Sequence, residues 1–353
     1  MKKTDCLIVG SGLAGSVLAL ELLRAGSTVT MIADSSRSTS SRVAGGLINP
    51  VTGKYLAKTW LANELFSGLA AYYTGLETLL SASFYHPTGL FRPFTGAEHR
   101  RSSLAQIAKH GLEDYLRIRQ ADAAFSTCFT GETEGMYAPA AGWLDMPAFL
   151  DAAARYLQQE AEWVDAVFDF AGLSVQEESV NYGEWEAARI IFCEGFYARH
   201  NPYFSWLPFN PVKGETLLGV IEDYPADTIV NQGKWIIPLG GDRVRLGATY
   251  SWHELDFEPS ARGREELLQA AGKMLKKPFS VTGQQAGVRP ATKDRRPFVG
   301  RHPQQERLWI FNGLGAKGVS LAPYFAGQLV RNIRHGELIH PEANIERFYA
   351  LYS

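Results

Sequence analysis

Three glycines in the run Gly10-Ser11-Gly12-Leu13-Ala14-Gly15 have the spacing of a turn that admits a pyrophosphate. Each has its own task. Gly10 lets the chain turn sharply out of a strand, Gly12 lets backbone N–H groups approach the anion, and Gly15 lets helix pack on strand. A second glycine loop, Gly313-Leu314-Gly315-Ala316-Lys317-Gly318, lies between an apolar run at 307–311 and a helical stretch from about Val319 to Arg334. Unpaired N–H groups at that helix start suit an anion or an electron-rich carbonyl, and Lys317 adds a full positive charge. If a flavin ring lies over this loop, both stabilise negative charge at its N1–C2=O edge as it accepts hydride. A glycine-rich turn with a solvated lysine is the plainer alternative.

Further residues could do chemistry. Arg289, between Val288 and Pro290, reads as a constrained strand end. An arginine there can clamp a substrate carboxylate at two points, a geometry that lysine does not match. A salt bridge, for instance to Asp294, is the structural alternative. The acidic residue that holds a ribose hydroxyl normally closes the second strand about 20 residues past the glycines. Ala33 occupies that slot and Asp34 comes one step later. Either Asp34 reaches the ribose from the strand end, or Ser35 and Ser36 share the task, or Asp34 is an ordinary solvated loop residue. Ser40 and Ser41 could donate to phosphates, and Ala44-Gly45-Gly46 before Leu47 would let backbone lie against a flat ring. The plainer reading of that stretch is a flexible surface loop. No Ser-His-Asp order, zinc spacing or paired-carboxylate motif stands out. His86, His200, His253 and His302 each adjoin turn residues and read as surface or structural.

The elements that must position these residues follow from apolar periodicity. Residues 6–9 form a strand, 13–25 a helix stopped by Gly26, and 29–32 a second strand. Residues 56–80 read as one or two helices, 87–94 as a strand and 97–121 as a charged helix. Asp145 reads as an N-cap with Pro147 in the first helical turn. Strands follow at 164–170 and 189–193, the latter ending at Gly195, where the backbone could again turn beside the cofactor. Short alternating runs between 210 and 250 predict an antiparallel sheet, followed by a capped helix near 260–275.

Composition sets the limits. With 46% hydrophobic and 20% charged residues over 353 positions, the chain is globular and long enough for two domains or one core with an inserted lobe. A net charge of −2 gives no global basic signature for nucleic acid. Cys6, Cys128 and Cys193 read as small buried hydrophobes. No leader is recognised, and no apolar stretch approaches the ~18 residues that span a bilayer. The expectation is a cytoplasmic protein.

The segments GSGLAG, SSRVAGGL, AGWLDMPAFL, NPVKGETL, RVRLGATYSW, GVRPATKDRRPFVGRHP and NGLGAKGVSLAP occur in the order seen in the glycine oxidase and D-amino-acid oxidase family of FAD enzymes. The chain resembles that family over nearly its whole length. Its last loop is also similar to the FAD-dependent oxidase domain of a bifunctional enzyme that modifies the wobble uridine of tRNA. The resemblance implies an α/β fold (α+β overall), with a Rossmann-like FAD-binding lobe and an inserted antiparallel-sheet substrate lobe. The FAD-binding lobe is expected at 1–80, 141–200 and 284–353, and the substrate lobe at 81–140 and 201–283. Leu13, Ala14, Ala33 and Asp34 would meet the ADP half, and Val167 the adenine through its backbone. Ser40, Ser41, Gly45, Gly46 and Leu47 would line phosphates and ring. Leu314, Gly315, Ala316, Lys317, Gly318, Val319 and Ser320 would sit at the pyrimidine edge, and Arg289 falls on the substrate-carboxylate arginine.

Two departures from the family pattern stand out. The ribose carboxylate is displaced, and the tyrosine that helps hold the carboxylate in glycine oxidase is Trp235 here. Tyr250 could supply a hydroxyl in its place, and a tryptophan at 235 suggests a pocket shaped differently from one for free glycine. The expected activity is FAD-dependent oxidation of the C–N bond of an α-amino or N-substituted amino acid by hydride transfer, with no dedicated base. The partner is then a small amino acid or amine carboxylate. A tRNA-modifying oxidase, with a basic track from Arg100, Arg101, Arg117 and Arg119, and a non-catalytic FAD-binding protein are the alternatives.

Overall fold

The N-terminal unit folds as its apolar runs dictate. In the computed structural model, which describes residues 1–225 and 227–352, strand Lys2–Val9 leads through the glycine turn into helix Leu13–Arg24 and the wholly buried strand Val29–Ala33. Alternation along the first strand splits its side chains between two cores: Cys6 and Ile8 face one, Leu7 and Val9 the other. Both faces of this sheet are therefore covered, as a parallel sheet requires.

Five strands run parallel in the order Glu162–Asp165, Val29–Ala33, Lys2–Val9, Trp185–Phe192, Leu308–Asn312. Val180–Tyr182 and Leu173–Val175 extend the sheet antiparallel, and Phe298–Arg301 pairs antiparallel with Leu308–Asn312. Helices Leu13–Arg24, Met146–Glu160 and Gly318–His335 fill one face through Val17, Leu18, Phe149, Phe325 and Leu329, all fully buried. Helix Met146–Glu160 starts as its sequence predicts: Asp145 Oδ1 accepts from the Ala148 N–H at 3.1 Å, and Pro147 sits in the first turn.

A second eight-stranded sheet has the order Ser280–Arg289, Val212–Val220, Arg243–Gly247, Lys234–Pro238, Ile229–Gln232, Leu90–Pro93, Glu134–Ala138, Arg117–Gln120. It is antiparallel except between Ile229–Gln232 and Leu90–Pro93. Helix Ala261–Met274, capped by Ser260 Oγ accepting from the Gly263 N–H at 2.9 Å, packs Leu267, Ala271 and Met274 into the core under this sheet. Mixed α/β architecture with one parallel and one largely antiparallel sheet thus matches the expected fold class.

Two local readings shift, and one left open is decided. The helix expected over 97–121 ends at His110, because Gly111 takes φ 59°, and Arg117–Gln120 pairs as an exposed edge strand with Glu134–Ala138. The strand expected over 164–170 is Glu162–Asp165, and Asp169 Oδ1 then caps a short turn by accepting from the Ala171 N–H at 3.0 Å. Residues 56–80 divide into Ala62–Phe66 and Leu69–Leu80. All three cysteines are free and buried. Among the described residues no helix is long and apolar enough to cross a membrane.

Two packing predictions follow from this frame. Phe325, fully buried and stacked on Trp60 at 5.6 Å, is expected to cost about 3–5 kcal/mol when cut to alanine, read from urea midpoints. A Cβ at Gly15 would overlap the Gly10 carbonyl oxygen, a backbone atom that cannot swing aside, so Gly15→Ala is expected to destabilise by about 1–3 kcal/mol. Gly75→Ala, with open space around its Cβ in helix Leu69–Leu80, is the control and should gain about 0.5–1 kcal/mol.

Candidate active site

Parallel strands bring their carboxyl ends to one edge of the sheet, where ligands bind in open α/β folds. Three chain turns meet there. Gly10 takes φ 102°, and a Cβ on it would lie 2.7 Å from the Cys193 carbonyl oxygen at the end of the neighbouring strand. Helix Leu13–Arg24 has no cap from its own N-cap residue; instead Ser41 Oγ accepts from the Leu13 N–H at 3.1 Å. The Gly12 and Ala14 N–H groups have no partner among the described residues. On the adjacent strand, Asn312 Nδ2 donates to the Gly195 carbonyl at 3.1 Å, and the Gly313 N–H donates to Asn312 Oδ1 at 2.7 Å. Gly313 and Gly315 take φ 73° and 56°, and a Cβ on Gly318 would lie 2.9 Å from Leu13 Cδ2. Two helix N-termini therefore abut, with the Ala316, Gly318 and Val319 N–H groups also unpartnered among the described residues.

These turns open on one elongated cleft of about 350 Å³. Of the residues singled out in the sequence, Gly10, Gly12, Leu13, Ala14, Asp34, Ser40, Ser41, Gly45, Gly46, Leu47, Val167 and Gly195 line it. So do Leu314, Gly315, Ala316, Gly318, Val319, Arg289, Trp235 and Tyr250. Gly15, Ala33, Lys317 and Ser320 do not. Gly15 lies against the back of the Gly10 turn, while Ala33 and Ser320 are buried within sheet and helix. Lys317 Nζ turns away to donate to Thr59 Oγ1 at 3.1 Å, and burial, with Arg296 and Arg295 nearby, pulls its pKa below the ordinary value. At the strand end, Ser35 is engaged with Asp165 at 2.9 and 2.6 Å, and Ser36 donates to Asp34 Oδ1. Asp34 alone of the three lines the cleft.

Arg289 ends strand Ser280–Arg289 opposite Val212. Its guanidinium donates only at long range, to the Thr249 carbonyl at 3.3 and 3.4 Å and the Lys213 carbonyl at 3.4 Å, and lies 4.5 Å from the Tyr250 ring. The salt bridge weighed for it is absent, because Asp294 accepts from Arg347 Nε at 3.0 Å. No described carboxylate pairs with Arg289, and burial pulls its pKa below the ordinary value. A desolvated guanidinium without a counter-charge is costly, and an anion entering the cleft would offset that cost. Gly214 is the seat: a Cβ there would overlap the guanidinium.

Trp235 closes the same end. Its outer ring edge lies between Gly45 and Gly247, whose added Cβ atoms would come within 2.6 and 2.5 Å of Cη2. Arg245 Nη1 donates to the Ala44 carbonyl at 2.9 Å, tying the second sheet to the 44–47 loop. Tyr250 lines the cleft and is 55% exposed, and Trp252, 53% exposed, has its ring 6.4 Å from the Tyr250 ring. Sequence reasoning missed Gly214, Thr216, Glu194, Phe196, Tyr197 and Phe257 as lining residues. The signal for two of them is strand alternation along the PVKGE segment, which turns Gly214 and Thr216 to one face. His200, read as surface or structural, is exposed at the cleft wall, while buried His302 accepts two turn N–H groups through Nδ1. No group of described His, Cys, Asp and Glu side chains suits a metal.

Unpartnered amides at two touching helix starts, and glycines with no room for a side chain, suit an elongated anionic ligand with a flat ring. Comparison with known proteins agrees with that fit. Residues 5–332 match the DAO family of FAD dependent oxidoreductases. A glycine oxidase from Pseudomonas aeruginosa is 24% identical over 352 residues, covering 90% of this chain and 91% of that protein. A tRNA 5-methylaminomethyl-2-thiouridine biosynthesis bifunctional protein from Idiomarina loihiensis is 22% identical over 350 residues, covering 92% of this chain and 54% of that protein. The chain thus spans about half the length of that relative and of the bifunctional protein ThiO/ThiG from Synechocystis. The solved structure of glycine oxidase from Geobacillus kaustophilus superposes with a TM-score of 0.80 at 21% identity, over 99% of this chain and 98% of that one. The chain belongs to the DAO family of FAD dependent oxidoreductases, and FAD is its cofactor.

Proposed function

We propose that this oxidoreductase acts on the C–N bond of an α-amino or N-substituted amino acid. The observation that carries the reading is Arg289: a largely desolvated guanidinium on the cleft wall whose hydrogen-bond partners among the described residues are two distant carbonyls. On this reading the division is 1–80, 141–200 and 284–353 for FAD and 81–140 and 201–283 for the substrate. The two glycine turns and Ser40 and Ser41 hold the diphosphate, Asp34 and Val167 the adenosine, and Gly45, Gly46, Leu47, Leu314, Gly315, Ala316, Gly318 and Val319 flank the ring. Gly15, Ala33, Lys317 and Ser320 support these contacts from behind.

FAD supplies the acceptor for the hydride leaving the substrate carbon. The chain supplies alignment. Arg289 presents two parallel N–H donors to the substrate carboxylate, which fixes the carbon next to it. Trp235 and Thr216 bound the space left for the substrate, and Tyr250 covers the guanidinium from the solvent side. Hydride transfer from a neutral amine needs alignment and no dedicated base at the substrate carbon. The imine formed hydrolyses in water.

A second reading rests on the similarity to the bifunctional tRNA-modifying protein over 92% of this chain and on exposed Tyr250 at the cleft with exposed Trp252 beside it. Aromatic faces stack on nucleobases, and an N-substituted glycine on a modified uridine would reach Arg289 in the same way. Anaerobic mixing of the yellow protein with glycine, N-substituted glycines, other amino acids and unmodified or modified tRNA separates the two. Bleaching by free amino acids supports the first. Bleaching by tRNA alone, with affinity falling steeply as salt rises, would replace it with the second.

Removing the guanidinium tests the assignment directly. Arg289→Leu is expected to lose about 2–5 kcal/mol of substrate binding, a rise of about 30- to 5000-fold in KM, with FAD content unchanged. Gly214→Ala should act in the same direction but more weakly, because it displaces the guanidinium without deleting it. An unaltered kcat/KM in Arg289→Leu would remove the carboxylate clamp from the account.

A further inference from the structure

A carboxylic acid sits where a negative charge is least expected. Glu194 follows strand Trp185–Phe192 and lines the cleft, and its Cα would lie 3.5 Å from a Cβ on Gly10, the first glycine of the N-terminal turn. Its Oε2 accepts from Asn201 Nδ2 at 2.7 Å. Asn201 is fully buried and is itself held by accepting the Tyr203 N–H at 2.9 Å. That contact fixes one carboxyl oxygen and leaves Oε1 without a partner among the described residues.

We propose that Glu194 binds FAD as the neutral acid, donating its O–H into the diphosphate end of the cleft, so that FAD binding draws one proton from solvent onto Glu194. The inference rests on the reading that the Gly10–Gly15 turn receives the diphosphate. An ionised carboxylate beside that dianion would be repelled, whereas a carboxylic acid gains a hydrogen bond to it. Burial already pushes the Glu194 carboxyl up to about 7, against the opposing pull of the Asn201 hydrogen bond and of Arg37. The charged and titratable groups at this end of the cleft are Arg37 and Asp34 from the loop after Val29–Ala33, and Cys193, Tyr197 and His200 from the segment around Glu194. Arg37 lies 3.7 Å over the Tyr197 ring and has no carboxylate partner among the described residues. FAD entering the cleft excludes water and brings negative charge, and both push the carboxyl further up. The group is then a folded-state carboxyl raised by its ligand: binding is fully favoured below the apoprotein value and weakens as pH climbs above it.

Calorimetric titration of the apoprotein with FAD at about pH 8, in buffers of different ionisation enthalpy, reads the proton directly. Wild type is expected to take up close to one proton, with Kd rising about tenfold per pH unit above about pH 7. Glu194→Gln, which keeps the shape and a hydrogen-bond donor, should take up none and show a flat Kd over that range. Equal uptake in both proteins overturns the proposal. So does a Glu194→Gln protein weaker by more than about tenfold at every pH, since the carboxylate would then act as an acceptor. Wild-type uptake near zero overturns it whether or not the variant folds. A wild-type protein that takes up no FAD at any pH would remove the cofactor site itself, a result distinct from the others.

Discussion

The cleft depends on the close approach of two helix N-termini over the carboxyl edge of one parallel sheet. That approach is possible only because Gly10, Gly15 and Gly318 leave no side chain where Cys193, the Gly10 carbonyl and Leu13 must pass. Backbone amides are directional and cannot be satisfied by nearby apolar packing, so bringing two unpaired sets together creates a site for an extended anion. Asn312 is the brace: through one amide side chain it holds both the Gly195 and the Gly313 turns in place.

The end of the cleft beside Arg289 is built by a different device. Along strand Val212–Val220, alternation turns Gly214 and Thr216 to the cleft and Lys213 and Glu215 to the opposite face. There Lys213 Nζ pairs with Asp256 at 2.6 Å, and Glu215 accepts from the Ser260 N–H and hydroxyl and from Gln284. Lys213 and Glu215 are 2% and 4% exposed, so their charges are matched inside the protein. Arg289, at the end of the neighbouring strand, has no such match. Within one sheet, buried charges that are paired thus stand beside an arginine with no carboxylate partner among the described residues.

Docking of the two sheets joins these devices. Trp235 fits its ring edge between Gly45 and Gly247, and Arg245 grips the Ala44 carbonyl. The 44–47 loop, whose small residues read as backbone laid against a flat ring, is thereby clamped from the second sheet. A tryptophan at this point also narrows the cleft beside Arg289, which bears on what can lie there.

Local chemistry along the chain determined a good deal. Glycine spacing between apolar runs, the Asp145 and Ser260 caps and the short alternating strands each depend on neighbours a few residues away, and each took the form expected. Failures arose where local signals were weak: Arg117–Gln120 is too short and too charged to declare itself a strand without its partner Glu134–Ala138. Which side chains meet at the cleft was decided by the tertiary structure. Lys317 turned to Thr59, Asp294 to Arg347, and Glu194 came to lie beside Gly10 at the cleft, because burial and pairing over long sequence separations set those positions. A sequence carries the turn a glycine permits, but the neighbour that needs the vacated space belongs to another part of the chain and is known only once the strands have packed.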